Sequence, residues 1–497
     1  MDIPAHKINY GYIIDSKGFA MRTVIQAGHV IAFQDGGHRH LKGGTIVIED
    51  DRIAHVGGGA FEGEADEVID ARDKIVTPGF INTHAHLSES PLDRSFVEDR
   101  GPRNFYLSGL FEFLTARDGA ITEAARRASV AASMPELIRT GTTTIVEMGL
   151  QGAYVAEQAE KAGLRAYIGE MYRSGRWYTN DGKSVQYQWW EDDGAAAMQR
   201  AVDFITAVDG RAEGRIKGFL TPVQVDTCSE ALLRRSRAVA TEMRVPLALH
   251  VSQSVPEFQE MVRRNGCSPV EWLEKIGFLG SDVILGHVIM PGGSSWTNYH
   301  ADDIGILADS GTNVAHAVWV FARRGIAMES YARYLARGVN MTLATDTCPQ
   351  SMIEALRWTA VISKIMDRRT EVATASDVFD SATLAGAKAL GRDDLGRIAA
   401  GAKADLLFWE GRSLFMTPMR DPVRNIVYSA QAEDLNATMV DGRFIMRDRV
   451  VPGFDIAALT ADLQSGAESM WANMHREDWA KRDINQLSPE SYPEFRR

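Results

Sequence analysis

Over residues 1–76 the hydrophobic positions come in short β-branched runs broken by glycines. In the stretch from Gly43 to Gly59 two such runs flank Glu49-Asp50-Asp51, which predicts a hairpin. The same texture returns near the other end, in "DLGRIAAGAKADLLFWE" and in "NATMVDGRFIMRDRVVPG", where Asp441-Gly442 supplies a second turn. Residues 1–76 and 395–455 are therefore expected to pair into one small composite β-sandwich. Between them, short apolar runs alternate with stretches rich in Ala, Glu, Arg and Leu, the β-α alternation of a parallel sheet. Eight strands can be placed: "IVTPGFINTHAHL", "TTTIVEMG", "RAYIGEMY", "IKGFLTPVQ", "VPLALHVSQ", "DVILGHVIM", "TNVAHAVWV" and "NMTLATDTC". Eight strands over residues 77–394 predict an α/β fold with a closed (β/α)8 TIM barrel, and residues 456–497 read as a helical extension.

Composition adds limits. A chain of 497 residues with 45% hydrophobic and 24% charged residues can bury a sizeable core. A formal charge of −12 without a basic run argues against nucleic acid or an anionic membrane surface and leaves a small molecule as the expected partner. Cys228, Cys267 and Cys348 are scattered and odd in number, so they announce no disulfide framework. The start "MDIPAHKINYGYIID" carries no export signal, and no window approaches ~20 uninterrupted apolar residues. A cytoplasmic location is expected. Trp189-Trp190 and the tail tryptophans Trp471 and Trp479 predict a homo-oligomer, because exposed they would form apolar patches.

In a parallel barrel the chemistry gathers at the C-terminal strand ends. His84 and His86 close the first strand, His250 the fifth, His287 the sixth, His316 the seventh and Asp346 the eighth. On an extended chain His84 and His86 point to the same side, about 7 Å apart at ~3.3 Å rise per residue. His38 and His40 share that spacing but lie in "GGHRHLKGG", which reads as a solvated glycine-rich turn. With His250 and Asp346, the first pair makes three imidazoles and one carboxylate, a set suited to Zn²⁺, Fe²⁺ or Co²⁺ rather than to Ca²⁺ or Mg²⁺.

With "PGFINTHAHL", "LALH", "LGHVIM", "GVNMTLATDT" and "LGRIAAGAKADLLFW" in this order, the sequence resembles the amidohydrolase superfamily, in its cytosine-deaminase-like and triazine-hydrolase-like branch. The likeness covers nearly the whole chain up to its last ~40 residues. It implies a hydrolase with one divalent transition metal, zinc first, held by His84, His86, His250 and Asp346. The fourth strand ends in Gln224 and offers no lysine there to bridge a second metal. The family chemistry implies metal-generated hydroxide, Asp346 as the proton carrier and His287 as the stabiliser of developing charge.

Two departures bear on the substrate. Where deaminases of this branch carry a glutamate three residues past the fifth-strand histidine, this chain has Gln253, which binds but does not protonate. After the seventh strand, Trp319 and Phe321 stand in "HAVWVFARRG" where relatives carry a more polar motif. These changes favour an amide, carbamoyl, thiocarbamoyl, lactam or haloheterocycle substrate, with Gln253, His316, Trp319, Glu170 and Trp177 as candidate binding residues. Deamination of an amino-heterocycle is the alternative, with Glu147 or Glu170 supplying the proton unless each pairs with an arginine such as Arg173 or Arg176. A non-catalytic relative is the second alternative. The aromatic insertion from Met171 to Gly194 reads as a lid or an oligomer contact.

Overall fold

The computed structural model describes residues 21–59, 61–96 and 109–495; the amino-terminal stretch read for export signals lies outside them. Seven strands form one sheet in the order β18-β17-β16-β4-β1-β2-β3. They are β1 (Arg22–Gln34), β2 (Gly37–Glu49), β3 (Arg52–Gly58) and β4 (Glu67–Pro78) from one end of the chain, and β16 (Leu406–Glu410), β17 (Leu435–Val440) and β18 (Arg443–Met446) from the other. The expected composite sandwich thus takes the form of a single sheet in which β16 runs antiparallel to β4. Its enclosed face carries Ile25, Ile46, Ala71, Leu406, Phe408 and Met439, a core of its own.

The "GGHRHLKGG" stretch corrects an expectation. From Gly37 on it lies within β2, because the turn is at Asp35-Gly36, whose φ of 50° and 77° suit a two-residue hairpin. His38 is consequently not solvated. Its side chain is only 9% exposed, its Nε2 lies 3.0 Å from Thr383 Oγ1, and its ring stands edge-on to Phe379. His40 Nε2 lies 2.9 Å from His29 Nδ1.

The remaining strands are short and parallel: β5 (Phe80–Ala85), β6 (Thr142–Gly149), β7 (Arg165–Tyr172), β10 (Ile216–Gly218), β11 (Thr221–Pro222), β12 (Leu247–Val251), β13 (Val283–His287), β14 (Asn313–His316) and β15 (Asn340–Leu343). β6, β12, β13 and β14 are buried along their whole length, as strands covered on both faces must be. β10, β7, β6 and β5 form one run and β12 to β15 another, while β11 pairs with β7. Bridges link the runs at both margins: Leu220 with Leu247 and Gln224 with His250 on one side, Ala85 with Asp346 on the other. The sheet therefore curls, and the class is α/β. The antiparallel pair β8 (Gly175–Tyr178) and β9 (Gln186–Trp189) projects from the end of β7.

Arg165 locks the two units together. It is buried at the start of β7 and donates to Asp405 Oδ1 and Oδ2 at 3.2 Å and to Asp441 Oδ1 at 2.5 Å. The tail helix Ile456–Glu477, capped by Asp455, packs Met470 and Met474 against Leu92, Phe96 and Phe113, with Trp471 against the same cluster. The tail tryptophans are thus not an exposed patch, whereas Trp189 and Trp190 on the hairpin are exposed. Among the described residues no helix is long and apolar enough to cross a membrane.

Candidate metal centre and the cavity beside it

Each chemistry-bearing side chain sits at a strand end because the strand itself is apolar and buried. β5 ends in His84-Ala85-His86, and its margin is tied to the far strand: Asp346 N donates to His84 O, and His86 N donates to Asp346 O, both at 2.9 Å. That pairing brings residues 260 positions apart in sequence to one point. Asp346 Oδ1 lies 3.6 Å from His84 Nε2 and 3.4 Å from His86 Nε2, and Oδ2 lies 3.8 Å from His287 Nε2. His86 Nε2 and His250 Nε2 are 3.1 Å apart. Two groups of potential ligand atoms, His84 with His250 and His287, and His84 with His86 and Asp346, lie within 4.8 Å of one another.

The ring orientations are imposed from behind. His86 Nδ1 meets Met148 O at 2.6 Å and His250 Nδ1 meets Val223 O at 2.5 Å, so each ring donates away from the cluster and turns the Nε2 lone pair inward. Both nitrogens of His84 are buried with no hydrogen-bond partner among the described residues, a costly arrangement that a bound cation relieves. Burial pushes His84 and His250 below the ordinary histidine range, with the neighbouring imidazoles acting in the same sense, and so keeps the lone pairs free. Burial alone would raise the carboxyl of Asp346; the imidazoles of His287, His84 and His86 outweigh it and hold the group ionised. Ser252, His287 and Asp346 have φ of 52°, 99° and 60°, left-handed values that non-glycine residues adopt at a cost and that cluster where side chains must be aimed.

A cavity of about 640 Å³ opens beside the cluster and is lined by His86, His250, His287 and Asp346. Gln253 and Trp177, both predicted from the sequence, line it too. Gln253 is held by its backbone: Glu257, buried at the first turn of the next helix, accepts from Ser252 N at 2.6 Å and Gln253 N at 3.2 Å. Its side-chain Nε2 is buried without a hydrogen-bond partner among the described residues, and so is Oε1 of Gln224, which lines the same cavity. Trp177 Nε1 and Tyr187 OH both donate to Asp226 Oδ2, at 2.7 and 2.8 Å, which pins the β8–β9 hairpin, whose Arg176 and Trp177 line the cavity.

Other predicted residues lie elsewhere. Glu170 is absent from the lining; its Oε1 accepts from Gly152 N at 2.7 Å, at the start of a helix. Glu147 is fully buried behind the cavity wall, and burial raises its carboxyl well above the usual range. Neither makes an ion pair with Arg173 or Arg176 among the described residues; Arg176 Nε instead donates to Gln188 Oε1 at 2.9 Å. His316 packs against Tyr331, and Trp319 packs at a tilt against Trp358, 5.0 Å between ring centres; neither lines the cavity. Phe321 stands edge-on to His287 at 4.7 Å and supports that ring. Glu89, Arg117 and Arg126 line the cavity although nothing in the sequence singled them out. Only the position of Glu89, three residues past His86, was a usable signal; Arg117 and Arg126 come from helices without a motif.

With this geometry the comparisons agree. The model of the amidohydrolase family matches residues 75–445. The chain is 31% identical over 454 residues to a 5′-deoxyadenosine deaminase of Methanosarcina barkeri, which covers 90% of this chain and 99% of that protein. An adenosine deaminase of Xanthomonas campestris with bound zinc superposes with a TM-score of 0.78 at 20% identity, covering 91% of this chain and 99% of that one. The atrazine chlorohydrolase of Arthrobacter aurescens, complexed with zinc, does so with a TM-score of 0.75 at 21% identity, covering 90% and 100%. The chain therefore belongs to the amidohydrolase family and is one of its hydrolases.

Proposed function

We propose that this protein is a mononuclear metal-dependent hydrolase that cleaves a carbon–nitrogen or related bond in a small heterocyclic compound. The observation that carries the reading is the cluster of His84, His86, His250, His287 and Asp346 beside the cavity that also holds the amide of Gln253. We read the curled parallel sheet as a (β/α)8 barrel over residues 77–394, supported by the bridges at both margins. Of the expected divisions 1–76 with 395–455 and 456–497, we assign the described residues of the first two to the sheet unit and those of the last to the helical extension.

Three imidazoles and a carboxylate fit a borderline transition metal, zinc first and iron or cobalt as alternatives. His84, His86, His250 and Asp346 would hold it, and it would supply Lewis acidity at the scissile bond. The chain's own groups do the rest. The ionised carboxylate of Asp346 takes the proton of the attacking water and passes it to the leaving group. His287, a neutral ring wedged by Phe321, hydrogen-bonds the oxygen on which charge develops. Gln253 Nε2 donates and Gln224 Oε1 accepts, a complementary pair for the N–C–N edge of a heterocycle. The β8–β9 hairpin, tied down by Asp226, excludes bulk water.

Similarity to the 5′-deoxyadenosine deaminase supports an amino-purine nucleoside as the first substrate class. A second reading has its own support. With Gln253 unable to protonate a ring and Glu147 and Glu170 outside the lining, a substrate already electrophilic, an amide, carbamoyl compound or haloheterocycle, needs no ring protonation. The exposed Trp189 and Trp190 support a homo-oligomer, and the three buried free cysteines suit a reducing cytoplasm. The test is a zinc-loaded sample offered 5′-deoxyadenosine, adenosine and a chlorotriazine, with ammonia and chloride measured alongside elemental analysis. One metal per chain, lost in His84→Ala and His250→Ala, and turnover of at least one substrate class are expected. Two metals per chain, or full activity after exhaustive chelation, overturns the reading.

A further inference from the structure

The carboxyl-terminal extension lies beyond residue 445, where the match to the family ends, yet it reaches the cavity. Its helix, Ile456–Glu477, packs Ala467, Met470 and Met474 against Leu92, Phe113, Ala116 and Ala120. Those partners belong to the pieces that follow β5, the turn Ser90–Asp93 and the helix Leu110–Ala120. That helix has two working faces. Phe113, Ala116 and Ala120, three and four residues apart, meet the tail, while Leu110, Leu114 and Arg117, spaced in the same way, line the cavity. The tail is the backing of a wall whose front faces the substrate.

The tail also contributes a side chain of its own. Glu477, the last residue of its helix, lines the cavity at the exposed mouth. Its carboxyl arm lies across Gly119, where a Cβ would stand 2.7 Å from Oε2 and 2.8 Å from Cδ, so a larger residue at 119 would push it away. Among the described residues Glu477 makes neither a hydrogen bond nor an ion pair. The carboxyl end of a helix carries partial negative charge, which suits His475 and Arg476 in the same turn and disfavours a carboxylate. Folding alone does not reward Glu477 there. The buried neighbour Asp478 holds the turn instead: it accepts from Arg482 Nη2 at 2.7 Å and from the amides of Ala480 and Arg482 at 3.0 Å. Arg482 Nη2 reaches on to Glu112 Oε1 at 3.3 Å, which ties the end of the tail helix to the helix Leu110–Ala120.

We propose that the extension completes the substrate cavity and that Glu477 is a specificity-determining residue. Its carboxylate accepts a hydrogen bond from an O–H or N–H donor on the part of the substrate remote from the bond that is broken, and Asp478 and Arg482 position it. The assignment deepens the reading of the protein as a hydrolase of a heterocyclic compound and rests on it. 5′-Deoxyadenosine, adenosine and 5′-amino-5′-deoxyadenosine share ring and sugar, and their remote end carries no donor, a neutral hydroxyl or an ammonium. Their dissociation constants are measured by calorimetry on zinc-loaded wild type, Glu477→Ala, Glu477→Gln, Arg482→Gln and Arg482→Lys, and ammonia release is followed in parallel.

One hydrogen bond to a carboxylate predicts that at least one donor-bearing compound binds about fivefold or more tightly than 5′-deoxyadenosine. Glu477→Ala brings the ratio to within about twofold. In Glu477→Gln the amide oxygen still accepts, so a hydroxyl keeps most of its advantage while an ammonium loses the charge that favoured it, an advantage that salt also weakens in wild type. Those two arms tell the hydroxyl from the amine. Arg482→Gln lowers the ratio as Glu477→Ala does, and Arg482→Lys, which keeps a cation for Asp478, recovers it in part; an unchanged ratio in Arg482→Gln removes the positioning role. Binding of 5′-deoxyadenosine as tight as that of both others, no binding by any of the three, or a preference that survives Glu477→Ala overturns the proposal. Glu477 is exposed and unpaired, so its variants decide the matter even where those of Arg482 are too unstable to assay. If the preference is present and lost in Glu477→Ala but no ammonia appears from any of the three, the amino-purine substrate fails and the role of Glu477 stands; ammonia release with no preference is the reverse.

Discussion

Replacing Gln253 with leucine separates a binding residue from a structural one, because the two roles predict opposite signs. In the free protein the Nε2 of Gln253 is buried and has no hydrogen-bond partner among the described residues. An unsatisfied buried donor costs about 1–3 kcal/mol. Leucine has nearly the same volume and removes the donor, so the variant leaves the denaturation midpoint unchanged or raises it. The backbone bonds from Ser252 and Gln253 to Glu257 do not involve the side chain and survive. Substrate binding moves the other way. The variant loses one hydrogen bond to the heterocycle, about 0.5–1.5 kcal/mol, which lowers kcat/KM by up to about tenfold, mainly through KM. The assays are urea unfolding of the zinc-loaded protein and steady-state kinetics on whichever substrate is turned over. An unfolding free energy lowered by more than about 1 kcal/mol with kinetics within twofold of wild type would refute the assignment and make Gln253 a packing residue.

Two further predictions concern the rest of the fold. Burial pushes His38 down to about 4, so between pH 6.5 and about 4 the unfolded chain binds a proton that the folded chain refuses, and stability falls as pH falls, by about 3 kcal/mol in all. Asp380, raised to about 6 by burial, works in the opposite sense but is common to both proteins. Because Asp380 Oδ1 lies 3.8 Å from His38 Nε2, the comparison is made in an Asp380→Asn background: the difference in unfolding free energy against pH with and without His38→Gln isolates His38, and a flat difference curve would contradict its burial. Removing the carboxylate in Asp405→Ala leaves Arg165 with Asp441 alone, a carboxylate that it shares with Arg215 and Lys403; a loss of about 3–5 kcal/mol is expected, recovered in part by Arg165→Met in the same chain. A change below about 1 kcal/mol would show that Arg165 does not join the two units.

The parallel strands were legible because each is an apolar run ending in a polar residue, a pattern that needs no tertiary information. β6 and β7 begin and end where the hydrophobic pattern does. The fourth run, "IKGFLTPVQ", breaks into β10 and β11, since Phe219 N bonds to Ile168 O in β7 while Leu220 N turns to Pro246 O on the other side. The histidine and aspartate cluster was legible through strand-end position alone. The non-metal wall was harder. Glu170 and Trp319 stand at the right positions along the chain, yet one is consumed by a backbone amide and the other by a second indole. Such pairings depend on which helix packs where. In the sequence Gln224 stands out only for the lysine it replaces, although its buried acceptor faces the same cavity as Gln253. His38 was misplaced because glycines on both sides of it look like a turn, while Asp35-Gly36 had already made one.

The insertion of β16 between β4 and β17 has a consequence for synthesis on the ribosome. When β4 has emerged, its edge over residues 74–78 lacks the strand that later pairs with it, and that strand does not arrive until Leu406–Glu410 is made. Throughout that interval the apolar face of the first four strands, with Ile25, Ile46 and Ala71, is half covered, and an open strand edge of this kind invites pairing with other chains. The parallel strands must be assembled while this seam is still unsewn. Shortening the chain before Glu410 therefore removes the partner that closes the amino-terminal unit, and truncations at the carboxyl end should be recovered as aggregates long before they approach any residue of the metal centre.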